Sequence, residues 1–257
     1  MSVRPSKHHL FGIDIGGSGI KGAPVDVKKG QLLTDRYRIP TPKPATPEAV
    51  AGVAAEVMRE HKWKGPLGCT IPARVRGGVT ETATNIDKGW IGCNAEKLIS
   101  KATGHPCVVL NDADAAGIAE MTFGAGKKQK GTVLMLTFGT GIGSALFRDG
   151  VLVPNVELGS VRWKKDQILE RFAADSARTR DHLTWERWAK RRMQPALEYL
   201  EFLLAPDLII VGGGVSKPHK WSLFADLLHT GARLRPAQLG NEAGIVGAAY
   251  VARQRLG

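Results

Sequence analysis

The sequence is short of cysteine, of long apolar runs and of negative charge. Its three cysteines, Cys69, Cys93 and Cys107, have no close metal-ligand spacing, which argues against a disulfide scaffold or a zinc finger. The longest stretch without a charged residue, 131–147, is seventeen residues long and contains four glycines. That is too short and too glycine-rich to span a bilayer. The first residues, Met1-Ser2-Val3-Arg4-Pro5-Ser6-Lys7, lack the apolar run of a secretory signal, so a reduced, cytoplasmic setting is expected. Hydrophobic residues still make up 43% and charged residues 23%, a globular composition and not that of a disordered chain. Against 24 acidic residues stand 36 lysines and arginines, for a net charge of +12. Such an excess suits a polyanionic partner, whether nucleic acid, phosphorylated metabolite or inorganic polymer, or else a merely basic surface.

Along the chain, 9–15 reads as a strand ending in the turn Gly16-Gly17-Ser18-Gly19, followed by strands at 20–27 and 32–39. Thr46-Pro47-Glu48 opens a helix with a capping hydroxyl, a first-turn proline and an early acid. Val50, Val53, Ala54 and Val57 continue it at helical spacing. A buried strand follows at 67–71. The order then recurs: a strand at 107–110, a helix at 113–123, a strand at 132–137, a glycine turn at 139–143, a strand at 144–147 and a hairpin into 151–154. From Ser160 to Arg192, ten basic and five acidic residues suggest a solvated, partly helical stretch. A long helix is expected at 185–204, a buried strand at 208–211 and a helix of small residues at 244–252. Gly16 and Asp26 fall on Gly139 and Asp149 without gaps at an offset of 123 residues. This points to an internal repeat, two α/β halves that each present a glycine hairpin toward a shared cleft.

Five segments carry candidate chemistry. In Asp14-Ile15-Gly16-Gly17-Ser18-Gly19-Ile20-Lys21 the glycines let backbone N–H groups approach an anion. Asp14 can hold a hydrated magnesium beside the phosphates. Leu136-Thr137-Phe138-Gly139-Thr140-Gly141 is a second hairpin of this type, with Thr137 and Thr140 as added donors. Ile209-Ile210-Val211-Gly212-Gly213-Gly214 is a buried strand opening into glycines, where a base or a phosphate chain could lie. In Asn111-Asp112-Ala113-Asp114 an acid just past a strand is placed as a general base would be. Either acid could instead cap the helix that follows, Asp114 being better suited to its first turn and Asp112 to the cleft. Glu157, in Val156-Glu157-Leu158-Gly159, is an acid in a loop and carries no weight alone.

In this order the segments resemble the ROK sugar kinases (repressor, open reading frame, kinase) of the actin/hexokinase-like superfamily, and above all their polyphosphate glucokinase branch. The segment from Phe11 to Gly22 is similar to that branch's first phosphate motif. Asn85-Ile86-Asp87-Lys88-Gly89-Trp90-Ile91-Gly92 is similar to a segment that general ROK kinases lack. The absence of a CxCGxxGC zinc motif agrees with this. The resemblance implies an α/β, two-lobed actin/hexokinase-like (ribonuclease H-like) ATPase fold with a central cleft, its lobes at 1–111 plus 241–257 and at 112–240. It implies Asp112 as the base toward the sugar 6-hydroxyl, with Asn85, Asn111, Asp112, Glu157 and Glu170 holding the sugar. Asp14, Gly16, Gly17, Ser18, Gly19, Lys21, Thr137, Gly139, Thr140, Gly141, Gly213 and Gly214 would handle the phosphates, and Asp14 the Mg2+. Phosphoryl transfer needs positioning and charge neutralisation more than a strong nucleophile.

The partners implied are inorganic polyphosphate, ATP or both, together with glucose or a close hexose. Neither nucleic acid nor membrane is expected, and a homodimer is. Lys21, Lys88, Lys127 and Lys128 are candidates to line a polymer's approach, or are simply surface lysines. Two departures from the family pattern bear on the sugar: Ser160 and Arg162 replace a histidine and an acid, and Ala73 stands where glycine is usual. Two other readings stay open. One is an ATP-dependent kinase of an altered sugar or amino sugar; the other is a noncatalytic sugar sensor or nucleic-acid binder. The few residues before the first strand leave no room for the helix-turn-helix domain of a ROK repressor, which weighs against the latter.

Overall fold

The computed structural model describes residues 3–83, 86–163 and 167–257. The chain forms two compact units, Met1–Ala119 with Glu242–Gly257 and Glu120–Asn241.

The first unit begins with β1 (His9–Ile15) and β2 (Ile20–Asp26), an antiparallel pair in which Ile15 faces Ile20 across the turn. The expected third strand at 32–39 is two short ones, β3 (Gln31–Leu32) and β4 (Tyr37–Ile39), pairing with opposite ends of β2. Pro24 lies between those ends and has no N–H to continue the ladder; it only accepts from Leu33 N at 2.8 Å. Helix α1 (Pro47–Glu60) starts as its sequence suggests, with Thr46 Oγ1 accepting from Ala49 N. Its Val50, Ala54 and Val57 enter one core with Phe11, Ile13 and Leu67. Then come β5 (Leu67–Ile71), the small hairpin of β6 (Val75–Arg76) and β7 (Val79–Thr80), α2 (Ala95–Thr103), β8 (Cys107–Asn111) and α3 (Asp112–Phe123). The sheet runs β3-β2-β1-β5-β8, and β1, β5 and β8 are parallel. All three cysteines are free thiols.

The second unit is built on β9 (Thr132–Phe138), β10 (Ile142–Arg148) and β11 (Val151–Val153), followed by α4 (Leu169–Ala173) and α5 (Asp175–Arg180). The helix expected at 185–204 forms with an interruption: α6 (Trp185–Trp188), a π turn at Ala189–Met193, and α7 (Gln194–Leu204). Pro195 enters at the first turn of α7, and the wider turn before it relieves the ring's conflict with the preceding backbone. Next come β12 (Leu208–Gly213), α8 (Pro218–Trp221) and β13 (Arg233–Pro236), in a sheet ordered β11-β10-β9-β12-β13.

The chain then returns to the first unit as α9 (Ala243–Leu256). A Cβ on Gly12 would collide with the Ile245 carbonyl, and one on Gly68 with that of Ala248. The small-residue helix therefore lies on β1 and β5 at backbone contact, as its composition suggests.

The repeat is present in the backbone. β1 and β9 begin and end 123 residues apart and share one pattern of buried and partly buried positions. The gapless match does not extend through the turn. Four residues join β1 to β2 but only three join β9 to β10, so Asp26, opposite His9, corresponds to Arg148, opposite Thr132, and not to Asp149.

One titration follows from this packing. His61 is half-buried against the Phe11 ring, its Nε2 3.2 Å from Gly22 O. Burial holds its pKa below the usual 6.5, despite the raising effect of that carbonyl. Protonation below that range therefore favours the unfolded chain. The melting temperature of the first unit should fall as pH drops from 7 to 5, and His61→Gln should flatten that slope. A slope equal to the wild-type one would remove His61 as its source.

Candidate active site

The candidate residues of the first unit gather where β1, β5 and β8 end. The register places Asp14 beside Thr70, and Thr70 beside Leu110, with Asn111 one residue further on. Carboxyl ends of parallel strands are where such sheets bind ligands. Asp14 accepts from Thr70 Oγ1 at 2.7 Å through Oδ1 and pairs with Lys21 Nζ at 3.0 Å through Oδ2. Gly244, at the start of α9, lies so close that a Cβ there would come within 2.9 Å of the carboxyl carbon. The turn beside it is closed by Gly16 N donating to Gly19 O. Two side chains that the sequence did not single out brace this turn: Thr41 Oγ1 donates to Gly16 O, and Arg38 Nη2 donates to Ser18 O at 2.6 Å. Gly17 and Ser18 at its tip are exposed.

At the end of β8 the structure answers the question of which residue caps α3. Neither acid alone does so: Asn111 Oδ1 accepts from Ala113 N at 2.8 Å and from Asp114 N at 3.0 Å. Asn111 Nδ2 donates to Ala73 O at 3.2 Å, so this buried side chain is tied on both sides. Ala73 sits without a positive φ. Asp112 is half-buried, its Oδ1 accepting from Ala113 N at 2.8 Å at the positive end of the helix. Asp114 is buried in the first turn.

In the second unit, β9 and β12 are parallel and end together, Gly212 beside Thr137 and Gly213 beside Phe138. Gly213 has φ +82, and a Cβ there would strike the Phe138 carbonyl; Gly214 beyond it is open. The second hairpin is closed by Gly139 N donating to Gly141 O at 3.0 Å, with Thr140 exposed. Glu170 reaches this hairpin. Its Oε2 accepts from Ile142 N at 3.3 Å and stands against Gly141, so that a Cβ there would displace the carboxylate. The loop bearing Glu157 is fastened to β10 through buried Ser144, which donates to Val156 O at 2.6 Å and accepts from Leu158 N at 2.9 Å. Gly159 packs against the Ile142 carbonyl, and both Glu157 and Ser160 are exposed. Both candidate carboxylates of this unit are thus mounted on the first residues of β10.

Asn85 lies outside the described residues. The segment after it is ordered by Asp87 Oδ1 accepting from Gly89 N and by buried Trp90 donating Nε1 to Ala45 O at 3.0 Å. Lys88, Lys127 and Lys128 are exposed. Among the described residues no group of three or more His, Cys, Asp or Glu side chains could hold a metal directly. A lone carboxylate still suits magnesium, which usually keeps several waters and takes one or two carboxylates together with substrate phosphates. Asp14, with one oxygen on Thr70 and the other on Lys21, fits such a water-mediated role.

Each unit thus carries one glycine hairpin at the end of its leading strand, in a chain with the two-lobed actin-like α/β fold of its structural relatives. The ROK family model matches residues 10–154, and the chain belongs to the ROK family. It is 49% identical over 246 residues to a polyphosphate glucokinase of Mycobacterium tuberculosis, covering 95% of this chain and 91% of that protein. The crystal structure of inorganic polyphosphate/ATP-glucomannokinase from Arthrobacter sp. strain KM matches with a TM-score of 0.91 and 45% identity, covering 96% of this chain and 99% of that one. A ROK family glucokinase from Streptomyces griseus, in complex with glucose and AMPPNP, matches with a TM-score of 0.80 and 25% identity, covering 96% and 99% of the two chains. Among the described residues no helix is long and apolar enough to cross a membrane.

Proposed function

We propose that the protein is a sugar kinase that moves a phosphoryl group from inorganic polyphosphate, and from ATP, to the 6-hydroxyl of glucose or a close hexose. The observation that carries this reading is the 49% identity, over almost the whole chain, to a polyphosphate glucokinase. In this reading Asp112 accepts the hydroxyl proton. Asn85, Asn111, Glu157 and Glu170 hold the sugar. The hairpins at 16–19 and 139–141, with Lys21, Thr137, Gly213 and Gly214, hold the donor phosphates through backbone N–H groups, hydroxyls and one ammonium. Asn111 has a second duty in the helix cap, and this makes its geometry rigid. Magnesium, held by Asp14 through water, would neutralise charge on the donor. The family resemblance puts the lobes at 1–111 plus 241–257 and at 112–240, whereas the two compact units divide within α3, after Ala119, and again before Glu242; that the enzyme works as a cytoplasmic homodimer rests on the resemblance.

The test is a matrix of donors (polyphosphate, ATP, GTP) against acceptors (glucose, mannose, glucosamine, fructose). Glucose phosphate from polyphosphate is the expected product, and no product in any combination would overturn the reading.

Ser160 bears on selectivity. The histidine usual here offers a ring nitrogen to a sugar hydroxyl, whereas the serine side chain is shorter and reaches that atom only through water. One lost uncharged hydrogen bond is worth about 0.5–1.5 kcal/mol, so Ser160→His should lower the KM for glucose by up to about tenfold. It should also sharpen discrimination against epimers. A variant that binds glucose no better would mean a pocket rebuilt around serine, and would favour another sugar or amino sugar as acceptor.

A further inference from the structure

Three charged residues from three strands stand side by side at the first hairpin. Asp14 on β1 faces Lys21 on β2, and Lys21 in turn faces Arg38 on β4. Residues directly opposite one another in antiparallel pairs project from the same face of a sheet, so acid, ammonium and guanidinium form one cross-strand row. The two cations in it differ. Lys21 is already paired with Asp14, at 3.0 Å. Arg38 is exposed and, among the described residues, has no carboxylate partner. Its Nη2 donates to Ser18 O at 2.6 Å, which holds the guanidinium against the hairpin beside the exposed tip at Gly17 and Ser18. Gly19 makes room for it. The φ of Gly19 is not positive, so the backbone does not demand a glycine there, whereas a Cβ would overlap Arg38 Nε and push the guanidinium away.

We propose that Arg38 is a donor-binding residue, whose guanidinium holds a non-transferred phosphate group of the donor at the first hairpin, next to the group that Lys21 serves. The proposal deepens the function given above and rests on it. Bracing the turn alone needs one donor and no charge, as Thr41 shows with a single hydroxyl on Gly16 O. Arginine brings more N–H donors than the one that Ser18 O takes, and its planar fork meets phosphate oxygens two at a time. The bond to Ser18 O fixes that fork beside the backbone of the glycine turn, so little side-chain freedom remains to be lost when an anion arrives. The charge of Lys21 is offset by Asp14, which leaves Arg38 as the uncompensated cation of the row.

The test is equilibrium binding of long-chain polyphosphate by titration calorimetry across a salt series, with steady-state kinetics measured separately. Each phosphate contact contributes about 0.7–0.9 to the slope of log Kd against log salt concentration. Arg38→Gln should therefore lose roughly that much from the slope, and raise Kd about ten- to a hundredfold at low salt. Arg38→Lys keeps the charge and should keep the slope, while losing the fork and part of the affinity. Thr41→Val removes the other brace of the same turn without changing any charge, and should leave the slope at its wild-type value. In turnover, Arg38→Gln should raise the KM for polyphosphate and for ATP and leave that for glucose within a few-fold. A slope unchanged in Arg38→Gln, or lowered equally in Thr41→Val, would make Arg38 a brace only and overturn the proposal, as would an equal rise in the KM for glucose. If the slope falls as expected but the wild-type protein phosphorylates no sugar from any donor, the function given above fails and the phosphate contact stands.

Discussion

Asp112→Asn should lower turnover about 10²–10⁴-fold, the usual effect of losing a general base, while leaving the KM for glucose within a few-fold of wild type. The amide keeps a carbonyl oxygen where Asp112 Oδ1 accepts from Ala113 N, so the start of α3 need not move. The rest of the cap is kept as well, because Asn111 Oδ1 accepts from both Ala113 N and Asp114 N. In the role proposed for Asp112, what the substitution removes is the proton acceptor. Steady-state kinetics with saturating polyphosphate and with saturating ATP should show the same loss for both donors, since the base acts on the sugar. Near-normal turnover would take Asp112 out of that role. A loss confined to one donor would place it at the phosphates instead. Asn111→Ala should behave differently, since it removes two bonds from the cap and one to Ala73 O, and it should lower stability and activity together.

Much of this was legible because the chemistry and the fold use the same residues. The apolar strand at 9–15 and the four-residue glycine turn after it define both β1 and the first hairpin. The recurrence 123 residues later defines β9 and the second. Asp14, Asn111 and Asp112 stand at strand ends, where a change of period marks a boundary. The unread features depend on contacts distant in sequence. Arg38 and Thr41 brace the first turn because β4 folds back onto β2, a pairing that three residues of sequence do not announce. Strand β13, Arg-Leu-Arg-Pro, alternates charge with apolar groups at a sheet edge and lacks the apolar run of a central strand. Glu170 carries no local sign that its carboxylate stands on the backbone of the second hairpin, 28 residues away.

Glu120 is the clearest case of a residue whose sequence surroundings conceal its role, and its replacement should have the largest effect on stability. In Ile118-Ala119-Glu120-Met121 it reads as an ordinary solvent-facing helix residue, yet it is fully buried. Its Oε1 accepts from Gln238 N at 2.8 Å and Leu239 N at 2.7 Å, and its Oε2 from Ala125 N at 2.9 Å. The carboxylate thus ties the end of α3 to the loop after β13 and satisfies three backbone donors. Gly124 leaves room for it, since a Cβ there would strike Oε2. Removing the group strands those donors away from water, each costing about 1–3 kcal/mol. Allowing for relaxation and entering water, Glu120→Ala should destabilise the second unit by about 3–5 kcal/mol. For a chain of this size that is a fall in melting temperature of roughly 10 °C. Glu120→Gln keeps the shape but turns an amide N–H₂ toward a backbone donor on one side or the other, so it should lie between alanine and wild type. Thermal unfolding followed by circular dichroism, with and without glucose, checks both. A glutamine variant as stable as wild type would show that the three donors find water in place of the carboxylate, and that burial of this acid is not what holds the loop.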